Sequence, residues 1–331
     1  MALILALLIV AAVAAMATFL NRDFDRSVRF AENRLFSQQG NHLLAGGEAA
    51  AQFYLSEDLN DNTVDHLGEF WAQSYSFPLD IAVINLQLED MQGRLNINEL
   101  QAKVSSESRR GGAENFTVPQ RRFIRLLQTF DDVLPLDRNE AIEITQAVID
   151  WLDADDDTTG FGGAESIFYQ TAGQTGYRPA NREMTSTSEL RLVKGVTPEL
   201  YQLLEPLVCA LPIGTELNVN TAPLAVLRTF NIGDQLTPLS LQDGEELLNE
   251  RTEKTYDDIA DFLDTPIMAD LQAQATREGQ VLSTDLLSVS TSYFMLRAQA
   301  VVAQRSSYSQ SLLHRTPDTV RLISRELGNW Q

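Results

Sequence analysis

The chain opens with an apolar run that is long enough to cross a membrane. Residues 1–20 contain no charged side chain, and the first charge is that of Arg22. Twenty helical residues span roughly 30 Å, which is the thickness of the hydrocarbon core of a bilayer. The apolar stripe continues at helical spacing in Phe24, Val28, Ala31 and Leu35. The pattern predicts one N-terminal helix that continues to about Leu55, with residues 1–21 in the membrane.

A cleaved signal peptide is the alternative interpretation of this run. Signal peptides begin with basic residues and have a shorter apolar core that ends at a small-residue cleavage site. Here the apolar run begins at Met1 and leads directly into the helical stripe, which favours an uncleaved single-pass helix. The missing basic flank suggests that a leader has already been removed. A second apolar run of membrane length does not follow, so we expect all the soluble mass on one side of the membrane.

Period-two alternation, which is typical of half-buried strands, begins after Pro78. The alternating apolar residues form two groups with the turn residues 90–93 between them: Ile84, Leu86 and Leu88, then Leu95 and Ile97. This spacing predicts a β-hairpin. The preceding segment, residues 56–78, begins with the composition of a loop, and we expect it to bury Leu67, Phe70 and Trp71.

The middle of the chain changes to a helical pattern. A polar linker rich in Gly and Ser at residues 103–115 precedes it, and apolar residues then recur at helical spacing over residues 119–276. Three amphipathic faces predict helices: Phe123, Leu126, Leu127 and Phe130; Ala141, Ile144, Val148 and Leu152; and Leu200, Leu203, Leu204 and Leu207.

Local signals mark where these helices start. Asp137 with Glu140 resembles a capping box, and Thr197-Pro198 opens the helix of the third face. A further helix is expected over residues 240–251.

Strand patterning returns at Tyr293 and leads, through a turn predicted at residues 305–307, into a return strand and a third short strand near residues 320–327. Strands on both sides of a helical block indicate an α+β fold in which the block is inserted into the sheet. We expect the first part of the sheet domain at residues 22–106 and the inserted helical domain at residues 107–283. The C-terminal strands are expected at residues 284–331.

The chain is strongly acidic, with 46 Asp and Glu against 25 Lys and Arg and a net charge of −21. Nucleic-acid binding depends on clustered basic residues that contact phosphates, so this balance argues against nucleic acid as a partner. One small basic cluster is expected to be a solvated face: Arg109, Arg110, Arg121, Arg122 and Arg125. The single cysteine, Cys209, excludes an internal disulfide.

Two segments, LRLVKGVTPELYQLLEPL and LNVNTAPLAVL, resemble helix-hairpin-helix (SAM-like) units. In other proteins such hairpins hold the DNA backbone through a glycine-rich turn. Here the hairpin has the single Gly195 beside Lys194 in acidic surroundings, so we interpret both units as part of the fold. The polar residues of the second unit are expected to be turn and helix-capping residues: Asn218, Asn220 and Thr221.

The strongest local signal is an acidic loop after one of the predicted helices. Residues 139–177 contain eight acidic side chains and no Lys or Arg. Alternating carboxylates precede a glycine-rich turn and a final carboxylate: Asp153, Asp155 and Asp157, then Gly160, Gly162 and Gly163, then Glu165. Several carboxylate oxygens suit Ca²⁺. An EF-hand loop beginning at Asp153 would need Gly at 158 and Glu at 164, whereas this chain has Thr158 and Ala164.

This loop has two interpretations other than calcium binding. A solvated acidic loop without a ligand explains the spacing alone, and Asp150, on the preceding helix, is a less certain ligand. Catalysis by paired carboxylates would need environments that separate their pKa values, and these aspartates are closely spaced and alike. The histidines His42, His66 and His314 form no ligand-spaced motif. The residues alone leave calcium and the unliganded loop open, and they argue against an enzyme.

Several motifs occur together and in order: the uncharged N-terminal helix, VDHLGEFWAQ, GRLNINEL, DWLDADDD, GGAE, SELRLVKG and LNVNTAP. This series resembles the K-type minor pseudopilin of the type II secretion system, the GspK family. The resemblance implies a pilin-like fold, with a long N-terminal α-helix packed on an antiparallel sheet and a large α-helical domain inserted in the sheet. It also implies calcium in the inserted domain, and the ligands we expect are Asp153, Asp155, Asp157 and Glu165.

The resemblance further implies location, processing and partners. Members of the family lie at the tip of a periplasmic pseudopilus, anchored in the inner membrane, in complex with I- and J-type minor pseudopilins. Other pseudopilins and exported substrates are further expected contacts. Prepilin peptidase removes a short basic leader after a glycine, so Met1 is expected to be the mature, methylated first residue.

Leu5 bears on assembly. Most pilin-like subunits have Glu at this position, and an unpaired carboxylate in lipid costs several kcal/mol. In pilin-like polymers the N-terminal amine of the adjoining subunit pairs with it. With Leu5, this chain needs no amine from an adjoining subunit. A bulky insertion would also obstruct the addition of subunits above it. Both features indicate a tip position. The alternative function is a bitopic calcium-dependent protein that recognises exported substrates directly.

Overall fold

The computed structural model describes the chain as two compact units. The described residues are 1–102, 115–131, 133–171, 176–233, 235–280, 282, 284–303 and 305–328. The first unit comprises residues 1–58, 73–89 and 295–331, and the second comprises residues 59–72 and 90–294. The predicted limits of the helical block, residues 107 and 283, lie outside the described residues, as does most of the predicted linker.

The first unit begins with α1, a helix that runs unbroken over Ala2–Asp61. Its N-terminal part is long and apolar enough to cross a membrane, which fits a single-pass anchor. The predicted end near Leu55 is too early. Leu55 is fully buried, and Asp58 pairs with Nη1 of Arg315 at 2.8 Å, so α1 remains packed on this unit beyond residue 55.

Beyond the apolar run, α1 packs on an antiparallel sheet whose described strands are ordered β1-β2-β7-β8-β9. Numbered along the chain, these strands are β1 (Ser74–Leu79), β2 (Ala82–Asp90), β7 (Tyr293–Val302), β8 (Arg305–Thr316) and β9 (Thr319–Leu327). Helix and sheet approach closely at Gly47, where a Cβ atom would lie 2.6 Å from Ile84 Cδ1 and 2.7 Å from Leu86 Cδ2. The predicted α+β, pilin-like arrangement is confirmed.

A bidentate ion pair ties the last strand to α1. The Glu48 carboxylate accepts hydrogen bonds from Nε and Nη2 of Arg325 at 2.8 and 2.7 Å. The hydroxyl of Ser311 donates to the same carboxylate at 3.0 Å. Charge-assisted, two-pronged bonds of this kind are among the stronger hydrogen bonds in proteins. The edge strand β9 is thereby fixed against the helix.

The predicted hairpin between residues 84 and 97 is wrong. β2 instead pairs with β1 through a tight turn, with Leu79 opposite Ala82. Leu95 and Asn96 form the short strand β3 (Leu95–Asn96), which runs parallel to β4 (Val208–Cys209). The strand stops because the Asn96 side chain accepts the N–H of Asn98 and caps a 3-10 helix over Ile97–Gln101.

Two smaller expectations also need correction. Leu67 and Phe70 are 56% and 52% exposed, and of the three expected buried side chains only Trp71 is buried, against Phe294. Residues 305–307 belong to β8 and not to a turn, because the chain already reverses at Ala303, which has a φ of 46°. The third short strand is confirmed as β9.

The second unit is the helical block inserted between the strands of the sheet, as predicted. Its helices are α2 (Val118–Leu127), α3 (Arg138–Leu152), α4 (Ser166–Thr171), α5 (Pro198–Leu204), α6 (Leu224–Leu227), α7 (Leu241–Glu253), α8 (Ile259–Leu263) and α9 (Pro266–Arg277). A short parallel pair, β5 (Leu217–Asn218) and β6 (Leu287–Ser288), accompanies them. The three predicted amphipathic faces all contribute to one hydrophobic core, with Leu203 and Leu207 only partly buried at its margin.

The basic cluster is not a solvated face where the structure describes it. Arg122 and Arg125 are 5% and 3% exposed. The Arg125 guanidinium donates to the carbonyl oxygens of Thr229, Ile232 and Gln235 at 2.6 to 2.9 Å. Arg109 and Arg110 lie outside the described residues. Arg121 is half-buried. The Arg125 guanidinium therefore stabilises the block internally, where backbone carbonyls replace water as acceptors.

A buried carboxylate, that of Asp90, organises the LNVNT segment. It accepts hydrogen bonds from Asn218 Nδ2 at 3.1 Å, from Thr291 Oγ1 at 2.7 Å and from the hydroxyl of Thr221. Burial raises the pKa of Asp90 in spite of these bonds. The expected helix-capping role of these polar residues is wrong, because α6 is preceded by Pro223 without a side-chain cap. The expected turn role holds, since Asn218 also accepts the N–H of residue 220.

Two adjacent glycines of α1 test the close packing of helix on sheet. Gly46→Leu and Gly47→Leu add the same side chain, but a Cβ at Gly46 meets nothing within 4 Å. We expect Gly47→Leu to lower the free energy of unfolding by about 1–3 kcal/mol, because it overpacks the interface. Gly46→Leu should raise it by about 0.5–1 kcal/mol, because glycine is unfavourable in a helix. Urea denaturation followed by circular dichroism measures both, and equal effects would contradict the packing.

Candidate metal centre

Helix α3 determines where the acidic loop begins. At its start, Asp137 accepts the N–H groups of Asn139 and Glu140, and Glu140 accepts the N–H of Asp137, which confirms the predicted capping box. At its end, the N–H of Asp153 still donates to Ile149 at 2.9 Å, while the Asp153 backbone is already extended. The chain therefore leaves the helix at the first carboxylate of the loop.

Three of the four predicted ligands converge. Asp153, Asp155 and Glu165 each offer one carboxylate oxygen, and these oxygens lie within 4.8 Å of one another. Asp153 and Glu165 are only 2% and 6% exposed. Asp157 is exposed and lies outside this group, and its N–H donates to Asp155 Oδ1 at 3.0 Å. Its role as a ligand stays a prediction.

Glu165 has the least favourable environment of the three carboxylates. Both its oxygens are buried and accept no hydrogen bond within the described part of the chain from an N–H or hydroxyl group. Burial, followed by repulsion from the carboxylates of Asp150 and Asp153, raises the pKa of Glu165 from 4.5 to about 8. The neighbouring Asp156 carboxyl group can donate a hydrogen bond to it only when protonated. Ionisation of Glu165 would leave a buried charge without a partner, which is costly unless a cation binds beside it.

Asp150 holds the loop instead of adding an obvious ligand. Its carboxylate, on the last turns of α3, is fully buried and accepts the N–H of Thr159 at 2.9 and 3.2 Å. Burial raises the pKa of Asp150, although the bonds to Thr159 oppose the shift. The sequence identified this residue only as a less certain ligand.

The returning part of the loop, residues 158–165, is fixed on α3. The N–H of Gly162 donates to Gln146 Oε1 at 2.8 Å. A Cβ at Gly162 would lie 2.2 Å from Glu143 Cα, so only glycine fits this approach. The loop is thus built against the helix that precedes it.

Lys194, from the helix-hairpin-helix segment, also contacts this returning part. Its Nζ donates to the carbonyl oxygen of Gly162 at 2.9 Å. The lysine of the hairpin therefore faces the acidic loop, in agreement with our interpretation of the unit as fold. No sequence pattern predicts this contact, because Lys194 follows the loop by some thirty residues.

Asn181 is a second residue that sequence reasoning missed. Its Nδ2 donates to the backbone oxygen of Asp155 at 3.0 Å, and its Oδ1 is buried and accepts no hydrogen bond from the described residues. An amide oxygen of this kind is a common neutral ligand of Ca²⁺. No spacing rule relates it to the loop.

The donor set fits a hard divalent cation. All the converging groups are oxygen donors, with no imidazole or thiolate among the grouped residues. With Ca–O distances of roughly 2.3–2.6 Å, two ligands on opposite sides of the ion are about 5 Å apart. The three carboxylate oxygens, all within 4.8 Å of one another, could therefore contact one ion. A calcium ion would also neutralise the repulsion around Glu165.

The residues expected to act in processing and assembly, Met1 and Leu5, lie at the start of α1 in the first unit. Leu5 is 64% exposed, and its N–H donates to the carbonyl oxygen of Met1 at 3.2 Å. The structure describes these two residues only as part of helix α1.

Comparison with known proteins gives a consistent result. Residues 93–213 and 217–285 match family profiles described as "Type II secretion system (T2SS), protein K". Type II secretion system protein K of Pseudomonas aeruginosa is 31% identical over 99% of this chain and 92% of its own length. The Aeromonas hydrophila protein is 29% identical over 99% of this chain and 96% of its own length.

A solved structure, the GspK-GspI-GspJ complex from enterotoxigenic Escherichia coli, contains a similar chain. The TM-score is 0.75 at 26% identity, over 90% of this chain and 99% of that one.

The environment of Glu165 predicts a pH dependence in the metal-free chain. Because its pKa is raised from 4.5 to about 8, the folded state keeps a proton that the unfolded state loses. The resulting stability is fully present below about pH 4.5 and is lost as the pH rises through about 8.

Glu165→Gln mimics the protonated carboxyl group and removes this titration. In chelator, calorimetry should show the variant becoming progressively more stable than the wild type between these pH values. A constant difference in melting temperature would contradict the assignment.

Proposed function

The chain belongs to the type II secretion system protein K family, and from this premise we propose that it is the tip subunit of a type II pseudopilus. The family is a structural component of the secretion system, a minor pseudopilin, and the similarity extends over nearly the full chain. The observation that best supports this proposal is the similarity to a K subunit of known structure. The two chains share the long helix, the sheet and the helical insert. The proposed role is assembly and not catalysis.

The proposed partners are the I- and J-type minor pseudopilins. The similar solved chain is part of a complex with GspI and GspJ. In this chain, α1 carries exposed apolar side chains beyond the membrane part, among them Phe24, Phe30 and Leu35 at 68%, 71% and 53%. Partner helices would cover them, and the small residues Ala11, Ala12, Ala14 and Ala15 would allow close approach within the membrane.

The proposed tip position rests on Leu5 and on the inserted block. Leu5 leaves the membrane part of α1 without a charge, so the subunit needs no amine from a subunit above it. The block of residues 90–294 is much larger than a pilin loop and would obstruct further addition on its side. We place the anchor in the inner membrane and the remainder in the periplasm. Prepilin peptidase processing and N-terminal methylation belong to the same proposal.

We further propose that the acidic loop binds Ca²⁺. Asp153, Asp155 and Glu165 would hold the ion, with Asp157 as the predicted fourth carboxylate. The buried Glu165 oxygens without hydrogen-bond partners support this directly. The ion would supply charge neutralisation and would fix the loop on α3. Its effect is therefore structural.

Calcium should stabilise the chain against heat. A ligand that binds only the folded state raises the free energy of unfolding by about 2.7 kcal/mol at a hundredfold excess over its dissociation constant. We expect millimolar calcium to raise the melting temperature relative to chelator, and Asp153→Asn to abolish the rise.

Asp270→Asn is the matched control, because Asp270 is an exposed residue of α9 whose side chain is 79% accessible. It removes the same charge and should keep the full response to calcium. Loss of the response in both variants, or no response in the wild type, would refute the site.

Labelling pseudopili tests the tip assignment. Immunogold directed against the inserted block should mark one end of each fibre, and excess chain should give more and shorter fibres, because each copy starts one. Leu5→Glu should reduce assembly, since the carboxylate would lie unpaired in lipid. Leu8→Gln, a polar but uncharged change in the same exposed helix, is the control.

Label along the whole fibre would overturn the assignment. Purification of the chain with exported proteins, in the absence of I- and J-type subunits, would favour the alternative function.

A further inference from the structure

A lysine from outside the acidic loop holds the backbone that leads to Glu165. Lys194 Nζ donates to the carbonyl oxygen of Gly162 at 2.9 Å and approaches that of Gly163 at 3.4 Å. Residues 139–177 themselves contain no Lys or Arg. The contact therefore brings a positive charge to a segment that has none of its own.

Lys194 is fixed from two further directions. Its backbone N–H donates to the hydroxyl of Tyr169 at 3.2 Å. Its Nζ lies 5.2 Å from the centre of the Phe168 ring, within the range of a cation–π contact. Both aromatic residues belong to α4, which starts directly after Glu165. Lys194 thus contacts both the glycine turn that precedes Glu165 and the helix α4 that follows it.

Glu165 depends on this backbone for its position. Its side-chain oxygens accept no hydrogen bond from an N–H or hydroxyl group of the described residues, so no such donor orients the carboxylate. The N–H of Gly163 donates to Thr159 at 3.2 Å, and the Glu165 carbonyl accepts the N–H of Phe168 at 2.8 Å. Between these points, Lys194 is the side chain seen to bind the carbonyl groups of residues 162 and 163.

We propose that Lys194 is a positioning residue for the calcium centre: its ammonium group fixes the Gly162–Gly163 backbone and thereby holds Glu165 where the ion binds. Lys194 is not a ligand. The inference rests on the proposed calcium function and adds a residue to it that lies outside the acidic loop.

The charge of Lys194 and its positioning role predict opposite effects of its loss on calcium affinity. A positive charge near a cation site repels the cation, so by electrostatics alone the loss of Lys194 would tighten calcium binding. If the lysine positions Glu165, its loss weakens binding, because residues that orient ligands typically contribute about 10–100-fold in metal affinity. The sign of the change decides between them.

The experiment is calorimetric titration of the full-length chain in detergent with calcium chloride, after removal of metal by chelator. We expect Lys194→Met to weaken binding by about 10–100-fold. Lys194→Arg should restore most of the affinity, because a guanidinium can donate to both carbonyl oxygens. Lys254→Met is the control, since Lys254 is 70% exposed and pairs with Asp261 of α8. It removes the same charge and should leave the affinity within about twofold, in line with weak exposed pairs.

Equal or tighter binding by Lys194→Met overturns the proposal, as does failure of the arginine variant to recover affinity. If Lys194→Met does not fold, Lys194→Gln replaces it. This variant loses the charge and keeps a donor, so it should bind calcium more weakly than Lys194→Arg and not more tightly. If the wild type does not bind calcium, the proposed calcium function itself fails, and that result is distinct from any difference among the variants.

Discussion

The organisation of the inserted block around its acidic loop follows from one constraint: buried carboxylates repel one another unless something neutralises them. Asp153 and Glu165 are almost fully buried, and Glu165 accepts no hydrogen bond from an N–H or hydroxyl group of the described residues. Keeping them together requires a rigid frame. α3 supplies its base, Asp150 binds the turn at Thr159, and Lys194 binds the turn at Gly162. A loop that was only solvated would have no need for so many contacts from residues outside it.

The helical part of the fold could be predicted because its signals are local. The amphipathic faces and the capping box of Asp137 depend on neighbours within four residues, and the structure confirms them. The hairpin prediction failed because alternation at Leu95 does not tell an antiparallel partner next in sequence from a parallel one far away. Its partner is Val208. Arg125 was misread for the same reason, since its acceptors are about a hundred residues distant.

The site shows the same division between local and distant contributions. The pattern of carboxylates identified Asp153, Asp155 and Glu165, which converge, while Asp157, part of the same pattern, lies outside their group. The residues that hold the loop in place follow no spacing rule, so the sequence does not predict them. Asn181 and Lys194 contact the loop from segments that follow it in the chain. Composition can therefore locate a candidate metal loop, whereas the groups that would position its ligands can be found only from the fold.

In the proposed function, the first unit and the acidic loop contribute separately: the long helix would offer a surface to partner subunits, and calcium bound at the loop would stabilise the block. The most direct test of the account is anomalous diffraction from crystals of the chain grown with calcium. The account predicts a calcium peak at about 2.3–2.6 Å from carboxylate oxygens of Asp153, Asp155 and Glu165. The absence of such a peak at millimolar calcium, with these three side chains well ordered, would contradict it.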